Sequence, residues 1–312
     1  MLSRRLIRVK VFKVLFGKIS AGSDSLVQME NELLASCDKT VELYSFLLGL
    51  PVALKNVAKE KIDAGLNKYR PTEQEANPNT KFVGNKFIQL IEEDTAFCNM
   101  CAKKGLVWGE YDSFVKKLYA NIASSEYFKN YMENPDTSME EDMELVKTIF
   151  EQELEDNVAL EDILEDSSIL WMDDLAYVIN TVTKNLDSIA KKGFVTVPQT
   201  FLKEEDKQFA LRLLTQAFIK SQEYSKMVYD SVSNWDADRL VATDIALIVQ
   251  GITEAVYFET IPLKVTINEY VEISKYYSTP NSRVFVNGLL DKILGQMSKD
   301  GKIVKSGRGL VG

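Results

Sequence analysis

Residues 261–294 read IPLKVTINEYVEISKYYSTPNSRVFVNGLLDKIL. The stretch predicts two short helices joined by a tight turn. Thr266 and Glu269 stand at capping-box spacing, which sets a helix start at Ile267. Ile267, Tyr270, Val271, Ser274 and Tyr277 then share one face at helical offsets. Thr279-Pro280 ends that helix and opens the next, because proline suits the first helical position, where no N–H is needed. The second helix turns Val286, Leu289, Leu290 and Ile293 inward. Gly288 in its middle costs roughly 1 kcal/mol of helix stability, so a close neighbour is expected there.

The order of residues in this stretch resembles the C-terminal half of the NusB family of bacterial transcription antitermination factors. The matching positions are Pro262, Lys264, Val265, Ile267, Asn268 and Glu269, then Asn281, Ser282, Phe285, Val286, Asn287, Gly288, Leu290, Asp291 and Lys292. The resemblance implies an all-α helical bundle. Family members are usually less than half as long as this chain, so it also implies a large added region.

Upstream, residues 3–20 predict a helix with an apolar face of Ile7, Val11, Val14, Leu15 and Ile19. Arg4, Arg5, Arg8, Lys10, Lys13 and Lys18 give it six positive charges and no acid. Read from the residues, this is a solvated basic face or an anion-binding one. NusB proteins open on an Arg-rich helix with an apolar stretch and Leu-Tyr, matched here by Arg4, Arg5, Arg8 and Leu15-Phe16. The resemblance therefore makes Arg4, Arg5, Arg8, Lys13 and Phe16 the candidate RNA contacts. Phe16 lacks the tyrosine hydroxyl of its relatives. Asp244, Asn281 and Phe285 match the partner-contacting positions, and Asn281 stands where relatives often carry Asp. Glu254 also matches a family acid, whereas Val249 stands where relatives commonly have arginine.

The 312 residues hold 46 acids, 37 bases and no histidine, for a net charge of −9. Without histidine, Ser-His-Asp and Cys-His catalysis are excluded, and no GxxxxGK[ST] phosphate loop is present. Cys98 and Cys101 form a lone CxxC; with Cys37 as the only other cysteine, Cys/His zinc coordination cannot be completed in one copy. Two small buried side chains are the expectation, and sparse cysteines fit a cytoplasmic protein. No window reaches the roughly 18 uncharged apolar residues of a membrane span. The basic start is a poor secretory signal and is not Ser-rich, as an organellar transit peptide would be.

Long helices are expected over 24–66, a loop over 67–86, and further helices over about 87–103, 110–123 and 125–133. Glu140-Glu141-Asp142 then recurs 64 positions later as Glu204-Glu205-Asp206, and Trp171 recurs as Trp235, Asp174 as Asp238 and Ser167 as Ser231. Apolar positions track at the same offset, as in Leu145 and Phe209 or Ile149 and Leu213. This predicts an internal duplication of a helical unit, about 138–190 and 202–254, with a loop over 191–203. From Asp136 to Asp166 thirteen acids face one base, Lys147. That is a solvated helix face or a docking face for a basic partner.

The expected division is residues 1–20 as the first helix of the NusB-like core, 21–200 as inserted helices, 201–297 as the remainder of the core and 298–312 as a flexible tail. The terminal Gly307, Gly309 and Gly312 spell GxGxxG with no helix to follow, so no dinucleotide site is read there. The resemblance implies a non-enzymatic RNA-binding adaptor without a cofactor. Its partners would be boxA-type single-stranded RNA, the ribosomal protein NusE and the RNA polymerase antitermination complex. The alternative is a structural ribosome-assembly factor without sequence-specific RNA readout. A third reading, a vestigial domain of a ribosomal RNA methyltransferase, lacks the strand and Gly-loop pattern of a methyl-donor site.

Overall fold

The computed structural model describes residues 1–21, 25–232 and 241–306. Every regular element among them is helical. In chain order these are α1 (Arg4–Ala21), α2 (Leu26–Leu48), α3 (Leu50–Leu66), α4 (Glu73–Ala76), α5 (Lys86–Glu93), α6 (Thr95–Lys104), α7 (Asp112–Ser124) and α8 (Glu126–Glu133). They continue as α9 (Met139–Glu153), α10 (Val158–Ser167), α11 (Leu175–Lys192), α12 (Glu204–Ile219), α13 (Ser221–Ser231), α14 (Ala242–Tyr257), α15 (Leu263–Tyr277) and α16 (Ser282–Lys299). Two compact units result: Met1–Cys37 with Leu202–Gly312, and Asp38–Phe201. The first boundary falls inside α2, seventeen positions beyond the expected end of the first core segment.

The first unit is built around α14. Its sequence, ATDIALIVQGITEAVY, is rich in apolar residues and buries residues on every side, Asp244, Gln250, Thr253 and Glu254 among them, and a helix of that kind is stable only when surrounded. It packs against α1, α12, α13, α15 and α16. Ala246, Leu247, Ile248, Val249, Ile252 and Ala255 are all buried in the resulting core. Gly251 makes the crossing possible: a Cβ there would lie 2.9 Å from Leu290 Cδ2 and 3.3 Å from Tyr270 Cδ2. Gly288 is different. It is exposed, and nothing lies within 4 Å of a Cβ built on it, so the close neighbour expected from the sequence is absent among the described residues.

Three local expectations change. Helix α15 begins at Leu263 on an extended Pro262, because Thr266 does not cap; its hydroxyl donates to Glu254 Oε1 at 2.9 Å. Helix α16 begins at Ser282, with Thr279-Pro280 in the turn before it. The segment after residue 298 is not a loose tail as far as residue 306. Ile303 is buried, the Ser306 N–H donates to Glu259 O at 3.1 Å, and Lys305 Nζ donates to Phe258 O at 3.0 Å. Residues 307–312 lie outside the described set.

The second unit packs α3 against α5 and α7, α5 against α9, and α9 against α11. An aromatic cluster anchors it: Phe46 stacks on Trp108 at 4.1 Å and on Trp171 at 5.4 Å. Both indole N–H groups find backbone acceptors, Phe46 O at 2.8 Å and Lys39 O at 2.9 Å, so neither polar atom is buried unpaired. The helix expected over 87–103 is two, because Asp94 caps α6 by accepting the Phe97 N–H at 2.9 Å. Cys98 is exposed and Cys101 buried, which corrects the reading of two buried thiols. The run Leu26–Leu66 is long and apolar enough to cross a membrane by length and composition alone, and most of its most apolar stretch is buried.

The segments read as duplicated hold α9, α10 and α11 in one and α12, α13 and α14 in the other. Asp142 and Asp206 are both buried, and Trp171 is buried. Trp235 and Asp238 lie outside the described residues, so the duplication stays a proposal.

Candidate nucleic-acid interface

Helix α1 packs on α12, α14 and α15, so little of it remains free. Ile7, Val11 and Leu15 are fully buried, and so nearly are Phe12, Arg8 and Lys10. Arg8, expected on an open face, is instead the pivot of the unit. Its Nε donates to Glu254 Oε2 at 2.6 Å and its Nη2 to Glu254 Oε1 at 2.9 Å. Glu254 is fully buried and also accepts from the hydroxyls of Thr266 at 2.9 Å and Tyr270 at 3.3 Å. Burial opposes the Arg8 charge, but the bidentate bond to Glu254 together with the charges of Glu254, Tyr270 and Glu269 outweighs it and raises the guanidinium pKa above its usual value.

Arg4 and Arg5 reach the surface. Arg5 forms a two-bond pair with Glu269, at 3.0 and 2.9 Å. Arg4 pairs with Asp206 at 2.8 Å and lies over the Phe209 ring at 4.3 Å. About half of each arginine side chain stays in solvent. The three arginines line an open groove of about 700 Å³, completed by Ser3, Phe258, Thr260, Ile261, Pro262, Val265 and Glu269. Unit 2 holds a groove of about 390 Å³ whose walls include Val52, Ile91, Phe97 and Trp108, with Glu60 and Asp112 as its charged lining. That chemistry repels anions, so the arginine groove is the nucleic-acid candidate.

The remaining candidates sit elsewhere in the same unit. Lys13 lies over the Tyr277 ring at 5.4 Å, and Phe16 stacks on Phe12 at 5.9 Å, both half-buried. Asp244 is buried rather than presented. Its Oδ2 accepts from Ser282 Oγ at 2.8 Å, and its Oδ1 is buried without a hydrogen bond. Asn281 is exposed at the start of α16, and Phe285 is half-buried against the core. The structure therefore joins Arg4, Arg5 and Arg8 in one groove and gathers Asp244 with the α15–α16 turn.

The sequence profile of the NusB family matches residues 178–295. Three relatives bear the name transcription antitermination protein NusB. The chain is 38% identical to that of Salinibacter ruber over 106 residues, 34% of this chain and 66% of the relative. It is 32% identical to that of Chloroherpeton thalassium over 136 residues, 43% of this chain and 63% of the relative. It is 39% identical to that of Methylacidiphilum infernorum over 93 residues, 30% of this chain and 65% of the relative. This chain carries a NusB-family domain. The chain spans just under two thirds of the length of these relatives. No solved structure matches it.

Within the NusB-type bundle, sequence reasoning missed the acids that engage the arginines. Glu254 and Glu269 were visible as motif positions, and Asp206 as part of a repeated triplet, but none was paired with a base. Phe209 and Phe258, in contact edge-to-face at 4.9 Å, carried no signal beyond being apolar. Charge is divided unevenly between the two units. Asp38–Phe201 holds 29 acids and 17 bases, and the NusB-bearing unit 17 and 20. The overall −9 thus conceals a unit of net +3 around the groove.

Proposed function

We propose that the protein is a cytoplasmic, non-enzymatic RNA-binding adaptor of transcription antitermination. On this reading it pairs with the ribosomal protein NusE on boxA RNA and joins the RNA polymerase complex that reads through terminators in ribosomal RNA operons. The observation that carries the RNA part is the arginine groove. Two half-exposed guanidinium groups and an aromatic ring, Phe258, face one open cleft. Such a cleft suits a single strand, whose phosphates take charge-assisted bonds and whose bases stack. The groove belongs to the unit with a net positive charge, which favours anion approach over the acidic remainder of the chain.

The test is fluorescence anisotropy with labelled boxA RNA and a base-permuted control, each with and without the ribosomal partner. Preference for boxA that appears or sharpens with the partner supports the reading. Equal binding of both RNAs supports the second reading, a ribosome-assembly factor without sequence readout. One observation favours that alternative: all three arginines are already engaged by carboxylates, Arg8 completely.

A further inference from the structure

Phe258 is the wall of the groove on which two further cations converge. The Arg212 guanidinium lies over its ring at 5.3 Å. Lys305, carried by the packed C-terminal segment, donates to its carbonyl at 3.0 Å. Arg212 is exposed and Lys305 half-buried. Among the described residues neither of them forms an ion pair, in contrast to Arg4, Arg5 and Arg8. An arginine stacked on a ring keeps all five N–H donors free at its edge. Burial holds the Lys305 pKa below its usual value, opposed by the charges of Glu254 and Glu259. An arriving phosphate would act in the same direction as those two acids. The placement of Lys305 is not accidental packing of a loose end, because the buried Ile303 and the bond from the Ser306 N–H to Glu259 O fix the backbone on either side.

We infer that the RNA path leaves the arginine groove over Phe258 and that Arg212 and Lys305 bind its backbone phosphates. This rests on the RNA reading above and deepens it. The carboxylate-paired arginines exchange one partner for another when they meet a phosphate, and so contribute a small net gain. Arg212 and Lys305 give up only water and a carbonyl contact. They therefore carry a disproportionate share of counterion release. Arg212 lies within the family match over residues 178–295 but outside the 261–294 stretch, and Lys305 lies beyond residue 295, where the match ends.

The experiment is a salt titration of full-length protein binding to fluorescein-labelled rU12, a sequence-neutral single strand. The proteins compared are the wild type, R212Q/K305Q, the charge-preserving R212K/K305R, and R4Q/R5Q. Loss of two phosphate contacts is expected to flatten the log–log salt slope by about 1.4, at roughly 0.7 per contact on a single strand. R212K/K305R is expected to retain the wild-type slope, which separates charge from fold, and circular dichroism checks the helix content of each variant. A wild-type slope in R212Q/K305Q, with flattening in R4Q/R5Q, overturns this inference and leaves the RNA reading standing. Absence of salt-dependent binding by the wild type, with or without the basic partner, removes the RNA reading and this inference with it.

Discussion

Arg8 and Glu254, 246 positions apart in the chain, form a closed two-bond ion pair inside the NusB-type unit, with Nε–Oε2 at 2.6 Å and Nη2–Oε1 at 2.9 Å. The pair ties α1 to α14 and is completed by Thr266 and Tyr270 from α15. Removing one member leaves a buried charge without its partner. Glu254→Ala or Arg8→Ala is therefore expected to cost about 3–5 kcal/mol, whereas the double change R8M/E254L is expected to be close to neutral. Urea unfolding of the four proteins checks this. Equal losses in single and double variants would mean that the ion pair contributes net stability that apolar packing does not replace.

Two glycines in helix interiors should respond in opposite directions. Gly251→Ala forces a Cβ against Leu290 and Tyr270 and is expected to destabilise by about 1–3 kcal/mol. Gly288→Ala meets open space and is expected to stabilise by roughly 1 kcal/mol. Thermal unfolding of both variants gives the comparison, and a loss in Gly288→Ala would show an intrachain contact at that face.

The Arg5–Glu269 pair predicts a pH dependence. The double hydrogen bond from Arg5 holds the Glu269 carboxyl below its usual value, against an opposing effect of burial. A depressed folded pKa contributes stability above the unfolded value, about 4.3 for glutamate, and that contribution is lost as pH falls through the folded value. Arg5→Ala should make the fall in stability below about pH 5 shallower than in the wild type. Parallel curves would assign the pair no net stabilisation.

The α10 face offers a charge test. Glu161 with Glu165 and Asp162 with Asp166 stand four residues apart, all exposed and without an ion-pair partner among the described residues. Replacing Glu165 and Asp166 with lysine turns two repulsions into attractions, worth a few tenths of a kcal/mol each. The melting temperature should rise at low ionic strength and the gain should shrink in salt. If E165K/D166K also slows association with a basic ribosomal partner at low salt, the face docks that partner; an unchanged rate identifies it as solvated surface.

Phe285 lies between core and surface. It is half-buried and packs on the core cluster. Phe285→Ala is expected to cost less than the roughly 3–5 kcal/mol of a fully buried phenylalanine and to weaken partner binding by more than that loss accounts for. A melting curve run beside a binding titration separates the two effects.

What could be read from the sequence were properties that local chemistry imposes. The spacing of Ile267, Tyr270 and Ser274, or of Val286, Leu290 and Ile293, allows a helix to bury one face whatever it meets. The absence of histidine removes whole classes of catalysis in any fold. The motif over 261–294 named the family. What the tertiary structure decided were relationships between distant residues. A helical wheel places Arg8 on a face but cannot say that α12, α14 and α15 together cover that face, nor that Glu254 waits beneath it. Gly251 and Gly288 carry the same local cost, and only packing shows that one is required by a neighbour and the other is not. Arg212 and Lys305 share no motif; each contacts Phe258, one at its ring and one at its carbonyl, because Phe258 stands between α12 and a C-terminal segment held down by Ile303. Periodicity acts within a few residues, whereas ion pairing and desolvation act across whatever the chain brings together, so the site's charge balance became visible only in the folded protein.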